Sequence, residues 1–311
     1  MTQKESDSSS HGAAAPVRIG IHTSIAGRLE QAAERASELG CDAFQIFSTS
    51  PRSWNTNGLN PIEAEAFRRR RETLGLRPLV IHDNYLINLA SARPVQRSRS
   101  IQALRAELER ARVLGADYLV MHPGSAVDLP RPRAFANVVA GLRQATRGFH
   151  LNGLQILLEN TAGQGSALGN RLEELAALVA AVPELNLGVC LDTAHLFAAG
   201  YDIRSQSGLE ETLANVHTTV GLERVKVIHV NDSKVACGAR LDRHQHIGRG
   251  KIGLEAFRRL LHHRTLAGKT FILETPIERA GDDRRNIQTL RRLARAPKPE
   301  VRSPRRARVR R

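Results

Sequence analysis

Six short apolar runs each end in a side chain able to bind a cation: His82 in VIHDNY, His122 in VMHPGS, Glu159 in LLENTAG, Asp192 in CLDTAH, His229 in VIHVND and Glu274 in ILETP. Two local clusters add His195, in DTAH, and Asp242 with His244, in LDRHQH. One His or carboxylate in such a place is more often a hydrogen-bonded structural residue than a ligand. Nine converging on one face are too many imidazole and carboxylate groups to be left there without cations. Nitrogen and carboxylate ligands without thiolates suit Zn²⁺, Mn²⁺ or Fe²⁺, whereas an all-oxygen Mg²⁺ site would not use so many imidazoles. At about three or four ligands per ion, with a carboxylate shared, the set would hold about two or three ions. His11 and the His262–His263 pair read as solvated surface. His246, just beyond His244, reads as either a partner behind a ligand or a competing ligand.

Side chains spread from His82 to Glu274 converge only if a scaffold brings strand ends together. Eight β-branched or aliphatic runs supply it: VRIGIHTS, CDAFQIFST, LRPLVIHDNY, ADYLVMHPG, LQILLENTAG, LGVCLDTAH, VKVIHVNDS and TFILETP. They recur about every 25 to 45 residues, the spacing that a strand, a helix and two loops require. Between them, segments such as LEQAAERASELG, IQALRAELERARVLG and NRLEELAALVAAV carry apolar residues at helical period and often end at Gly. Eight such units predict a single (β/α)₈ TIM barrel, which places reactive groups at the C-terminal ends of its strands. A doubly wound open sheet is the structural alternative, but no G-x-G-x-x-G follows the first strand.

The 311 residues, 41% of them hydrophobic, suffice for one barrel domain, predicted over 17–296. The Ser-rich leader 1–16 and the segment 297–311, PKPEVRSPRRARVRR, which has prolines and no apolar periodicity, read as disordered tails. The formal charge of +15 invites a polyanionic partner, although much of the excess sits in that C-terminal tail. No apolar run reaches the roughly 18 residues of a membrane helix, and no signal-peptide segment opens the chain, so a soluble cytoplasmic protein is expected. Cys41, Cys190 and Cys237 form no C-x-x-C pair and read as two buried strand thiols and one loop thiol.

Five longer phrases, HDNYLINLA, LENTAGQGSALG, LDTAHLFAAGYD, HVNDSK and LDRHQHIGRG, resemble the endonuclease IV family of abasic-site endonucleases and run in that family's order. The resemblance covers the chain from about Ile19 to about Ala294. It implies a three-zinc site, with Mn²⁺ acceptable at one position. His82, His122 and Glu159 would hold one ion. Glu159 would bridge to a second, held also by Asp192, His229 and Glu274, and His195, Asp242 and His244 would hold the third. It further implies that Arg52, Tyr85 and Leu86 enter the duplex at the lesion; from the residues alone, Tyr85 and Leu86 could equally be rim packing and Arg52 a loop charge. Arg243, between two ligands, reads as a phosphate contact.

The implied activity is hydrolysis of the phosphodiester bond 5′ to an abasic site in double-stranded DNA by a monomer. A metal-activated hydroxide would attack the phosphorus with Glu159 and Glu274 as the catalytic carboxylates, leaving a 3′-hydroxyl and a 5′-deoxyribose phosphate. Removal of 3′-end blocking groups and a nucleoid-associated location are expected with it. Two positions depart from the family pattern: Ala167 replaces a polar residue, with loss of a rim hydrogen bond expected, and Arg249 an acidic one, which would strengthen phosphate attraction. Two rival readings are a metal-dependent sugar isomerase or epimerase on a related barrel, and a non-catalytic DNA-binding module. The first needs only about four or five ligands, so His195, Asp242 and His244 discriminate against it.

Overall fold

The structure, a computed structural model, describes residues 17–54 and 58–295. The leader 1–16 with His11, the tail 297–311 and the boundary residue Ala296 lie outside the described residues.

The eight runs form parallel strands β1 (Arg18–His22), β2 (Ala43–Phe47), β3 (Leu79–His82), β4 (Tyr118–Met121), β5 (Gln155–Glu159), β6 (Gly188–Asp192) and β7 (Val225–His229), and β10 (Thr270–Leu273), which closes the ring. Between β7 and β10 lies a short antiparallel pair, β8 (Asp232–Ser233) and β9 (His244–Gln245), that the sequence reading did not anticipate. Because β1 pairs with both β2 and β10, the sheet has no edge and the open doubly wound arrangement is excluded. Around it run α1 (Glu30–Glu38), α2 (Pro61–Thr73), α3 (Pro94–Leu114), α4 (Arg131–Thr146), α5 (Leu172–Ala181), α6 (Thr193–Ala199), α7 (Gln206–Thr219), α8 (Leu254–His262) and α9 (Asp282–Ala294).

Local chemistry sets the helix ends. Asn60 accepts from the Ile62 amide with Pro61 in the first turn of α2, and Ser205 accepts from Gly208 at the start of α7. Gly115 closes α3 in the left-handed region at φ 68°, where its amide reaches the carbonyls of Ala111 and Arg112. The helices turn apolar faces inward, Ala32, Ala33 and Ala36 from α1 and Leu104, Leu108 and Ala111 from α3, onto outward strand residues such as Ile19, Ile21, Phe44 and Ile46. Cys41 is buried but belongs to the turn before β2 rather than to a strand, because Gly40 at φ 75° leads the chain out of α1 and the Cys41 amide bonds back to Ala36. Cys190 is buried in β6 as expected, and Cys237 lies half-buried in a loop.

Inside the barrel a separate apolar layer is formed by Ala43, Val80, Val120, Leu157, Cys190, Val227 and Ile272, from the seven strands other than β1. The register places Gly20 of β1 beside Ala43 and Ile272. A Cβ there would lie 2.3 Å from the Ala43 carbonyl oxygen and 2.7 Å from Ile272 Cδ1, so a backbone group and a core side chain already fill the space. Gly20→Ala is therefore expected to destabilise the fold by about 1–3 kcal/mol, the usual cost of overpacking. Urea denaturation checks this, and an unchanged midpoint would contradict the packing described.

Candidate metal centre

Side chains alternate faces along a strand, so the residue two beyond each member of the apolar layer points inward one step nearer the C-terminal mouth. Those residues are Gln45, His82, His122, Glu159, Asp192, His229 and Glu274, with His22 in the same relation to Gly20. One polar layer thus rests on the apolar one. Six of its members are the strand-end candidates read from the sequence; His22 and Gln45 were missed. Both carry the same signal, an inward position two residues beyond the floor. His22 ends one of the eight runs, but Gln45 is not a metal-binding type.

Glu159, fully buried, organises the layer. Its Oε2 lies 3.2 Å from His82 Nε2 and 3.5 Å from His122 Nε2. Its Oε1 lies 2.9 Å from His229 Nδ1, which is also 3.1 Å from Glu274 Oε2. Asp192 completes this second group, in which one donor atom from each of Glu159, Asp192, His229 and Glu274 lies within 4.8 Å of the others. The third group forms at the mouth, where Asp242 places Oδ2 3.2 Å from His195 Nε2 and Oδ1 3.4 Å from His244 Nε2. Asp192 Oδ2 is 3.6 Å from the same His244 nitrogen, so Asp192 faces this group as well. All nine sequence candidates are brought together. Cys190 lies close to Glu159 and His229, but burial pushes its thiol well above the usual range, so it serves as floor.

Backbone carbonyls aim the imidazoles. The Nδ1 of His82 sits 2.9 Å from the Asp83 carbonyl oxygen, that of His195 3.0 Å from Asn160 and that of His244 3.1 Å from Glu274. With Nδ1–H donating to these carbonyls, each ring turns Nε2 toward the carboxylates. Asp192 is held too, by the His195 amide at 2.7 Å, where it caps α6, and by Asn231 Nδ2 at 2.6 Å. Among the described residues, His195 Nε2 and His244 Nε2 are buried without a hydrogen-bond partner although both face Asp242. Two orphaned nitrogens beside a carboxylate form a donor set that a divalent cation would satisfy, so the residues fit a metal.

The loop carrying His244 is fastened from behind. The buried Asp232 carboxylate accepts from the amides of Gly248 at 2.9 Å, Gly250 at 3.0 Å and Ile252 at 2.9 Å. A Cβ on Gly250 would lie 2.4 Å from Asp232 Oδ1, so this glycine is needed for the close approach. Arg249 between the two glycines is exposed and lines a separate pocket with His246 and Arg285. Among the described residues His246 joins no ligand group: its Nδ1 accepts from Asn286 Nδ2 at 3.0 Å on α9. His262 and His263 are engaged at the surface by the Leu293 carbonyl and Glu210.

Above the centre opens a cleft of ≈ 930 Å³ that includes His122, His195, Asp242, Trp54, Tyr85, Leu86 and Arg243 in its walls. Tyr85 is 60% exposed, with its ring 5.1 Å from that of Phe47. Arg52 is exposed outside the cleft walls, but its loop is tied to the Tyr85 loop: Asn84 Nδ2 donates to the Ser53 carbonyl at 2.7 Å, and the Tyr85 amide to Pro51 at 3.1 Å. Ala167 also lines the cleft; the polar contact at this rim is made by its neighbour Ser166, whose hydroxyl lies 2.8 Å from that of Ser125.

Residues 33–296 match the family described as Xylose isomerase-like TIM barrel. The chain is 49% identical to a probable endonuclease 4 of Solibacter usitatus over 281 residues, 89% of this chain and 97% of that one. The chain belongs to the endonuclease IV family. The crystal structure of endonuclease IV from Thermus thermophilus superposes with a TM-score of 0.79 at 42% identity, covering 89% of this chain and 98% of that one. A D-tagatose 3-epimerase-like protein, at 20% identity and a TM-score of 0.65 over 89% of this chain and 97% of that one, shares the fold alone.

In this endonuclease IV relative, burial disfavours charge on Glu159 and His82, and neighbouring groups offset it. Burial alone would raise the Glu159 carboxyl, but His229, His122 and His195 hold it well below the carboxylate range. Burial likewise opposes protonation of His82, yet the hydrogen bond and charge of Glu159, with Glu274 and Asp83, raise it to about 10. Asp242, half-exposed at the mouth, is held down at about 2 by His195, His244 and His122 against its partial desolvation. A histidine at about 10 carries its proton at pH 7, and a cation taking its Nε2 must expel it. Zinc added to the chelated protein at pH 7 is therefore expected to release protons, and affinity to fall as pH falls. Titration in weak buffer checks this, and uptake without proton release would contradict the charge balance described.

Proposed function

We propose that this protein is a DNA-repair endonuclease that hydrolyses the phosphodiester bond 5′ to abasic sites in duplex DNA, leaving 3′-hydroxyl and 5′-deoxyribose phosphate ends, and that it also clears blocked 3′ ends. The observation that carries this reading is the position of Glu159, whose two oxygens face two ligand groups while Asp192 faces a third. We assign three zinc ions to the nine side chains, with Mn²⁺ acceptable at one: His82, His122 and Glu159; Glu159, Asp192, His229 and Glu274; and His195, Asp242 and His244. Bound there, divalent cations supply a water acidified toward neutral pH and neutralise charge developing on the phosphate.

The chain's own residues do the rest. Glu159 and Glu274 supply the negative charge that fixes the donor groups, and the imidazoles, aimed by backbone carbonyls, hold one orientation without reorganising. Tyr85 and Leu86 at the cleft mouth would wedge the duplex, with Arg52 on the loop tied beside them. An abasic nucleotide has no base to unstack, so extruding it costs less than flipping a normal one. Arg243, in the cleft wall next to Asp242, would take a backbone phosphate, while Arg249 faces its own pocket and would meet a flanking phosphate at most. The same reading has the protein acting as a monomer at the cytoplasmic nucleoid. No helix among the described residues is long and apolar enough to cross a membrane.

A sugar isomerase or epimerase would account for the fold and for two ligand groups. The third group, His195, Asp242 and His244 at the mouth, goes beyond what such a site needs.

The test is incision of a duplex oligonucleotide bearing one abasic site. The wild type should nick it on the 5′ side and leave a 3′ end that a polymerase extends. Glu159→Gln should lose at least about 10²-fold in rate, the scale of a lost electrostatic stabiliser, while keeping its circular dichroism. Tyr85→Ala should lose more on the duplex lesion than on 3′-end trimming. Near-normal nicking by Glu159→Gln would sink the bridging role, and equal losses for Tyr85→Ala on both substrates would sink the wedge.

A further inference from the structure

Of the polar layer, Gln45 is fully buried and lies behind the second ligand group. Its Oε1 is 2.8 Å from His229 Nε2, and its Nε2 is 2.5 Å from Glu274 Oε1 and 3.0 Å from His22 Nδ1. An amide can usually be turned over at little cost, but not here. A carboxylate only accepts, so the amide nitrogen must face Glu274, and the carbonyl is left for His229. His229 therefore donates from Nε2, which leaves Nδ1 as the ring nitrogen a cation would take, at the point where Glu159 Oε1, at 2.9 Å, and Glu274 Oε2, at 3.1 Å, converge. The second amide hydrogen goes to His22 Nδ1. With one oxygen of Glu274 held by the amide, the other is aimed at that same point.

His82, His195 and His244 are oriented by backbone carbonyls, which no substitution removes. His229 is oriented by a side chain. We propose that Gln45 is a positioning residue of the metal centre: by fixing the tautomer of His229 and the free oxygen of Glu274, it sets the affinity of the one cation group formed by Glu159, Asp192, His229 and Glu274. The proposal rests on the metal reading above and adds that this group depends on a residue that touches no cation.

Two measurements test it. Gln45→Met keeps the length of the side chain and removes all three contacts. Competition of the variant against a chromophoric chelator should show one zinc ion bound roughly 10–100-fold more weakly, the scale of a lost orienting partner, and the others bound as in the wild type. Cobalt loading should change the visible absorption of that position alone. Should the variant not fold, nitrogen–proton correlation spectra of histidine-labelled, zinc-loaded wild type still decide, because the proton of His229 is expected on Nε2. Unchanged affinities, a parallel loss at every ion, or a His229 proton on Nδ1 would each overturn the role of Gln45. A wild type that takes up no zinc at all would sink the metal reading itself.

Discussion

A carboxylate removed from water costs several kcal/mol unless its neighbours compensate, and Glu159 is fully buried at the centre of the barrel mouth. Its compensation comes from several directions at once, since His82, His122, His195 and His229 all face it and Glu274 shares His229 with it. Remove Glu159 and the imidazoles have no common partner; remove the imidazoles and the carboxylate cannot stay ionised. The charge balance explains how the deeply buried members of this layer, His82, Glu159, Asp192 and His229, tolerate one another. A divalent ion held there would satisfy several of these groups where a proton satisfies one.

The barrel makes such convergence available. The apolar layer seals the interior below, with Gly20 giving way to Ile272, and the next inward residue of every strand arrives at the mouth. Eight strands therefore deliver eight side chains to one layer, whatever their separation in sequence. Loops then add what strands cannot. The α6 turn brings His195 round onto Asp192, and the small β8–β9 pair, fastened by Asp232, brings Asp242 and His244 over the mouth.

Much of this was legible in the sequence, because alternation and strand-end placement are local rules. The eight strands, barrel closure and six of the candidate ligands followed from runs such as VIHDNY and ILETP, and His195, Asp242 and His244 from the local clusters DTAH and LDRHQH. What escaped depended on partners far along the chain. Gln45 matters only because Glu274 and His229 arrive beside it, and its type gives no hint of a metal. His246 was left open between two roles because the residue that engages it, Asn286, lies on α9. Asp192 was assigned to one ligand group, yet its other face meets His244 across the mouth. The β8–β9 pair is too short to show a period, and Cys41 was misplaced by the turn that Gly40 makes.

The most direct test of the centre is metal content per chain, measured on purified protein before and after chelation and paired with nicking of the same abasic-site duplex. Three ions per chain, with nicking lost on chelation and restored by zinc, is the expected result. Full nicking by a chain holding no ion would contradict the assignment of these nine residues as one metal centre.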